Sequence, residues 1–350
     1  MRGLRLEIDL DKVGDNARAL VDRAALSSIS ITAVTKAMLG SPDLAHVLVG
    51  AGAASLGDSR IDNVERMRRS GLDEPMVLLR SPPLSQVERV VQAGTTSLNT
   101  EAEVLTALAT AARAAGRVHD VMLMVELGDL REGVMPERLN ETVRHVLSLP
   151  ALRLSGIGTN LACRSGIEPS AENMAELSAL VDSTETTFGI EIEIVSGGNS
   201  ANLDWAFGSS PTGRINNLRL GESVLLGREP LHRNPIPGLH TDAFTLVTEA
   251  IESKRKPTRP RGRPAQNSFG ETPEIVDRGV IWQTILAVGR QDTETADLRA
   301  PEGVEILAAS SDHLIVRTRD RVSPGDEIRF EPGYSALLRS MTSPFVTKCF

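Results

Sequence analysis

The stretch Ile31-Thr32-Ala33-Val34-Thr35-Lys36, followed almost at once by Ser41-Pro42-Asp43, decides the fold. Its β-branched and small apolar residues read as a buried strand. Serine, proline and aspartate in that order read as a helix start. A lone amine closes the strand. At the carboxyl end of a buried strand an amine is poised to form a Schiff base, because burial favours the neutral form and frees its lone pair. The plain alternative is a lysine that snorkels at a strand tip.

Working outward, the same alternation continues to about Leu226. Strands are expected at 31–36, 54–57, 76–79, 96–98, 121–126, 152–156, 191–195 and 218–225, with helical spacing between them, as in Leu105, Leu108, Ala109 and Ala112. A further helix is expected at 13–26, before the first of these strands. Thr100 with Glu103 and Ser85 with Glu88 have capping-box spacing, and Pro136 suits a first helical position. Eight strands alternating with helices give the size and rhythm of a (β/α)8 barrel, the TIM barrel. A doubly wound open sheet is the weaker alternative, since no Gly-x-Gly-x-x-Gly turn follows the first strand. After Pro235 the texture changes. Strands at 244–251, 280–288, 305–309, 314–319 and 327–330, without a long helical pattern between them, predict a smaller, mostly-β carboxyl-terminal domain. The expected division is 1–234 and 235–350.

The totals narrow the function. The chain has 350 residues, enough for a barrel plus a smaller domain, and a net charge of -8, which argues against nucleic acid as a partner. Its basic run over 254–263, interrupted by prolines, reads as a surface turn. The two cysteines, Cys163 and Cys349, lie far apart, so no disulfide framework is implied and a reducing cytoplasm fits. Cys349 reads as an inert thiol in a terminal tail. The first residues lack the apolar core of a secretory signal, and no apolar run approaches the ~20 residues that span a membrane.

In a barrel the chemistry sits where the strands end. Lys36 follows the first of them. Asp58-Ser59-Arg60, Arg80, Asn99 with Glu101, the loop 128–133, Thr159-Asn160 with Cys163, and Ser196-Gly197-Gly198-Asn199-Ser200 follow the next six. Arg219, Gly221 and Glu222 lie on the eighth. The glycine-rich loop after strand seven is the kind whose backbone N–H groups converge on phosphate. A phosphate cradle facing a Schiff-base lysine suggests pyridoxal phosphate.

The order of these motifs resembles the fold-type III pyridoxal-phosphate enzymes, the alanine-racemase-like family, and most closely its ornithine racemase branch. The stretches that carry the resemblance are Ala33-Val34-Thr35-Lys36-Ala37, Gly57-Asp58-Ser59-Arg60-Ile61, Ser97-Leu98-Asn99-Thr100-Glu101, the run 125–133, Gly156-Ile157-Gly158-Thr159-Asn160-Leu161, Ser196-Gly197-Gly198-Asn199-Ser200 and Leu218-Arg219-Leu220-Gly221-Glu222. In the carboxyl domain Gly289-Arg290-Gln291-Asp292, Ser310-Ser311-Asp312-His313 and Tyr334-Ser335-Ala336-Leu337-Leu338 match as well.

The resemblance implies a homodimeric amino-acid racemase with active sites near the subunit interface. Lys36 would carry the cofactor and serve as one base. Arg219 would face the pyridine nitrogen, a permanent cation that keeps it unprotonated. Ser200 and the amides of Gly221 and Glu222 would hold phosphate, with Ser196, Gly198 and Asn199 shaping the loop. Asn160 would lie against the ring, and Arg131 near the phenolic oxygen or the substrate carboxylate. Relatives place a tyrosine, the second base, where this chain has Arg290, which cannot accept a proton. Asp312 and His313 are therefore the candidates for that role, ahead of Tyr334, the chain's only tyrosine. The expected substrate is a basic amino acid such as ornithine or lysine, and Glu101, Asp129, Glu132, Glu222 and Asp312 are the carboxylates that could meet its distal ammonium. Most of these are expected to be solvated or paired with arginine. Alternatives on the same scaffold are a decarboxylase, a dehydratase or a non-catalytic carrier of the cofactor. A cofactor-free Schiff-base aldolase is a further one.

Overall fold

The structure is a computed structural model that describes residues 3–272 and 276–350. The chain divides into two compact units. One is Leu10–Thr241; the other joins Asp242–Phe350 to the residues up to Asp9. The boundary expected at 234/235 thus falls later, and the chain's start crosses over. Ile236 N–H donates to Gly227 O at 2.8 Å and His240 N–H to Asn16 Oδ1 at 2.7 Å, which ties the segment after Pro235 to the first unit.

Strand β1, Arg5–Ile8, belongs to the second unit, whereas the first unit is a closed parallel barrel. Its strands are β2 Ser30–Val34, β3 Ser55–Asp58, β4 Met76–Leu78, β5 Thr96–Asn99, β6 His119–Val125, β7 Leu152–Thr159, β8 Ile194–Ser196 and β9 Asn217–Leu220. All eight strands expected from the sequence are present. The last is shorter than expected: it stops at Leu220, and Val224, Leu225 and Leu226 are buried on the short helix Glu222–Leu226. A brief apolar run reads as strand or helix equally well. Helices Leu10–Ala25, Pro42–Gly50 and Ala102–Ala114 occupy expected places. Pro136 opens a 3-10 turn.

The two expected capping boxes do not form. The helix Ala102–Ala114 has Glu101 at its N-cap, one residue later than the Thr100–Glu103 box requires. Gln86 rather than Ser85 caps the helix Val87–Gln92. Reciprocal caps occur instead at Ser170 with Asn173 and at Asn199 with Asn202.

Val77, Leu98, Met122 and Met124 form one buried cluster with Leu79 and Ile194. They come from β4, β5, β6 and β8 or the residue after, so side chains meet across the closed sheet and fill its interior. A polar chain occupies another sector: Asn217 Nδ2 donates to Thr32 Oγ1, which lies 2.8 Å from Ser55 Oγ. The seam between β8 and β9 is thin, with only Ser196 opposite Asn217. Side chains close it. Val195 N–H donates to Asn216 Oδ1 at 2.8 Å, and Ser196 Oγ to Asn217 Oδ1 at 2.6 Å.

The second unit is an eight-stranded sheet built on β10 Phe244–Pro257, β11 Val280–Leu286, β12 Leu298–Arg299, β13 Val304–Ala309, β14 Leu314–Thr318, β15 Glu327–Pro332 and β16 Thr347–Cys349. The five expected strands are there. β1, β12 and β16 and the helix Tyr334–Thr342 are additions. β1 lies between β10 and β16, and Arg5 makes a bidentate contact with Glu327 at 2.7 and 2.8 Å. Cys349 is therefore in a paired strand, not a loose tail. The basic run over 254–263 is likewise only partly a turn, because β10 carries it as far as Pro257. Among the described residues no helix is long and apolar enough to cross a membrane.

Candidate active site

After β2 the chain enters a single 3-10 turn, Lys36–Met38. Thr35, fully buried, pins that turn by donating its hydroxyl to Asp58 Oδ2 at 2.8 Å. Asp58, at the end of β3, also accepts from Arg60 N at 2.9 Å and Asn63 Nδ2 at 3.0 Å. Burial pushes the Asp58 carboxyl up, and these donors oppose the shift. Lys36 itself is half-buried, and its amine has no hydrogen bond or ion pair among the described residues. Burial is the largest influence on it and lowers its pKa below the ordinary lysine range. Cys163 and Asp58 raise it, while Arg131 and Arg219 lower it. All four groups are thus within electrostatic reach of one nitrogen.

Arg219, on β9, is 6% exposed. It donates to Ser196 Oγ, to Thr159 O at 2.7 Å and to Asn160 Oδ1 at 3.4 Å. No carboxylate among the described residues pairs with it. Burial pushes its guanidinium down to about 10.

The glycine-rich loop follows β8. Gly198 has φ +146°, and a Cβ there would stand 2.1 Å from Asn202 Oδ1, the acceptor that holds Asn199 N–H at 3.0 Å. Gly198→Ala is expected to cost about 2 kcal/mol or more through backbone strain and the broken cap. A lowered denaturant midpoint checks this; an unchanged one refutes it. Asn199 Nδ2 reaches Asn160 Oδ1 at 3.1 Å, Leu161 O at 2.8 Å and Cys163 Sγ at 3.6 Å. Ser200 Oγ lies 2.9 Å from Ser223 Oγ and accepts from Gly221 N at 3.4 Å and Ser223 N at 3.2 Å.

The mouth carboxylates are mostly engaged. Arg131, in the loop after β6, pairs with Glu132, and Glu222 pairs with Arg233. Asp129 is fully buried and accepts backbone N–H groups from Cys163, Arg164 and Ser165. Glu101 is exposed and has no partner among the described residues.

Lys36, Arg131, Asn160, Ser196, Gly198, Asn199, Ser200, Arg219, Gly221 and Glu222 all belong to the barrel unit, whereas Asp312 and His313 belong to the sheet unit. There His313 Nδ1 is 3.1 Å from Asp312 Oδ1. A hydrogen bond from Ser311 holds the exposed Asp312 carboxyl below its ordinary range, with His313 adding to the effect. Arg290 pairs with Glu271 at 2.8 Å and lies over the Phe269 ring at 4.3 Å, a cation occupied by its own contacts.

These residues suit pyridoxal phosphate. An amine without a counter-ion can take the aldehyde. A buried guanidinium without a carboxylate can face a ring nitrogen. Asn160 Nδ2 is buried with no hydrogen-bond partner, a donor left over for a ligand. Ser200 and the amides beside it offer clustered donors for phosphate. Sequence reasoning missed Asn202, Asn217 and Ser223, which hold the loop from behind. Only the i, i+3 spacing of Asn199 and Asn202 could have signalled one of them.

The alanine racemase N-terminal domain family matches residues 8–229. The chain is 38% identical over 350 residues to an ornithine racemase of Acetoanaerobium sticklandii, covering 98% of each. It is 38% identical over 351 residues to a lysine racemase of Thermotoga maritima, covering 99% of this chain and 98% of the other. In fold it is similar to the alanine racemase from Streptomyces coelicolor A3(2), with a TM-score of 0.78 at 21% identity over 99% of this chain and 97% of that one. The chain belongs to the alanine racemase N-terminal domain family.

Proposed function

We propose that this protein is a pyridoxal-phosphate-dependent racemase that interconverts the L and D forms of a basic amino acid such as ornithine or lysine. The observation that carries the reading is the unpartnered, desolvated amine of Lys36 within electrostatic reach of the buried Arg219. Full-length likeness to relatives named for ornithine and lysine points to the substrate class.

Pyridoxal phosphate bound through Lys36 supplies an electron sink that acidifies the substrate Cα. The protein's own residues do the rest. Burial lowers the Lys36 pKa, so more of its amine is neutral at a given pH than in an ordinary lysine, and its lone pair would take the Cα proton from one face. Arg219 would hold the pyridine nitrogen, and its fixed charge would keep a proton off that atom. Ser200 and the amides of Gly221 and Glu222 would hold the phosphate, and Asn160 Nδ2 would donate toward the ring. Arg131 would meet the substrate carboxylate or the phenolic oxygen. Asp312 and His313 supply the second proton carrier in this reading. His313 Nδ1 lies 3.1 Å from Asp312 Oδ1 and 3.3 Å from Ser310 Oγ, and these two groups would orient the imidazole. They would reach the barrel of a second copy, which makes the active form a homodimer, and few cysteines fit a cytoplasmic setting.

Incubation with L-ornithine or L-lysine in the presence of the cofactor is expected to reduce optical rotation to zero, with chiral chromatography showing both enantiomers. L-Alanine is expected to react more slowly. Full retention of rotation for every basic amino acid, with cofactor bound, refutes the reading.

A further inference from the structure

The acceptors around the buried guanidinium of Arg219 are all uncharged: Ser196 Oγ, Thr159 O and Asn160 Oδ1. Thr159 O can only accept. Ser196 is different, because a hydroxyl carries one proton as well as lone pairs and can present either to a neighbour. A proton turned toward the guanidinium would set two donors against each other. That proton must therefore be committed elsewhere.

The commitment can be followed donor by donor along the barrel. Ser30 Oγ, at the exposed start of β2, donates to Asn216 O at 2.9 Å, a carbonyl that can only accept. Its lone pairs are then what Asn217 meets, and Asn217 Nδ2 donates to Ser30 Oγ at 3.2 Å. The same amide donates to Thr32 Oγ1 at 3.0 Å. With Nδ2 engaged on this side, Asn217 Oδ1 faces Ser196 and accepts its proton at 2.6 Å. The Ser196 lone pairs are left for Arg219. Asn217 and Arg219 stand two apart on β9 and so share a face, and Ser196 is the residue paired with Asn217 across the β8–β9 seam. Thr32, Ser196 and Asn217 are buried, where a polar atom that loses its partner is not rescued by solvent.

We propose that Asn217 is a positioning residue for Arg219. Locked by Ser30 and Thr32, it turns the Ser196 lone pairs toward the guanidinium and so holds that cation aimed at the cofactor's ring nitrogen.

The inference rests on the reading that Arg219 meets the ring nitrogen of pyridoxal phosphate, and the test separates the two. Full-length, cofactor-free protein is dialysed to equilibrium against pyridoxal phosphate and against its deaza analogue, in which C–H replaces the ring nitrogen. The parent is expected to prefer pyridoxal phosphate by about tenfold or more, the usual worth of one hydrogen bond to a charged group. Asn217→Leu is expected to cut that preference to about threefold or less, and Ser196→Ala to do the same. Asn217→Ala carries the same expectation and serves where leucine unfolds the barrel. A change that merely loosens the structure weakens both ligands alike and leaves the preference unmoved. Asn217→Asp keeps an oxygen for the Ser196 proton and is expected to retain the preference. Because both residues act along one path, the double variant N217L/S196A is expected to lose no more than either single variant. The proposal is overturned if the parent discriminates and the Asn217 variants discriminate equally well, or if the two losses add in the double variant. Equal affinity of the parent for both ligands overturns the Arg219 reading and this proposal with it.

Discussion

Lys36→Ala is expected to abolish racemisation and, in the same protein, the visible absorbance of a lysine-bound pyridoxal. The loss should exceed about 10⁴-fold. Removing a general base alone costs about 10²–10⁴-fold, and here the same side chain also anchors the cofactor. The fold should survive, because Lys36 is half-buried and the turn beneath it is held by Thr35 and Asp58 rather than by the amine. Circular dichroism and the unfolding midpoint of the variant check that point. The pH profile of the parent gives a second reading. Burial lowers the Lys36 pKa, so the neutral amine is present at lower pH than for an ordinary lysine, and the acid limb of the rate should rise correspondingly early. A variant that keeps both the visible band and measurable turnover would remove Lys36 from the chemistry.

The barrel was readable from the sequence because each of its strands is a short apolar run closed by a polar residue. In a parallel barrel that boundary marks the mouth. Lys36, Asn160 and Arg219 stood out for that reason: each is a polar group at the end of, or within, a run that should be apolar. What lies behind them was not readable. The Thr35–Asp58 contact joins neighbouring strands 23 residues apart in sequence, and the Arg219–Thr159 contact spans 60. No local pattern records such separations. β1 escaped notice because Arg5 and Glu7 disguise a strand paired on both sides, and both become intelligible only once Glu327 and Arg329 reach them. The helix Tyr334–Thr342 was missed because its buried residues are few: Ala336, Leu337, Ser340 and Met341. Arg290 was read as an arginine that cannot be a base; its engagement with Glu271 and Phe269 depends on a loop whose path the sequence does not specify.

Arg219→Met is expected to leave the cofactor-free protein no less stable than the parent while lowering activity about 10²–10³-fold, the usual effect of removing one preorganised electrostatic group. The two effects have opposite origins. In the folded state burial depresses the Arg219 pKa to about 10, so above that pH the unfolded chain binds the proton more tightly. Stability linked to this group therefore rises with pH only above about 10, and at pH 7 to 8 the full penalty of the buried charge is present. That penalty is about 3 kcal/mol at one unit per ~1.4 kcal/mol, an order-of-magnitude figure. Against it stand the hydrogen bonds that methionine forfeits. Ser196 Oγ keeps its bond to Asn217, and Asn160 Oδ1 keeps its bond from Asn199, so only Thr159 O loses this partner outright. Replacing a buried ion by an apolar group of similar length is commonly neutral or stabilising when its partners keep other bonds. The unfolding midpoint without cofactor should therefore stay level or rise by a few degrees. A marked fall would show that the guanidinium holds the β8–β9 seam together and that its place in the barrel is structural first.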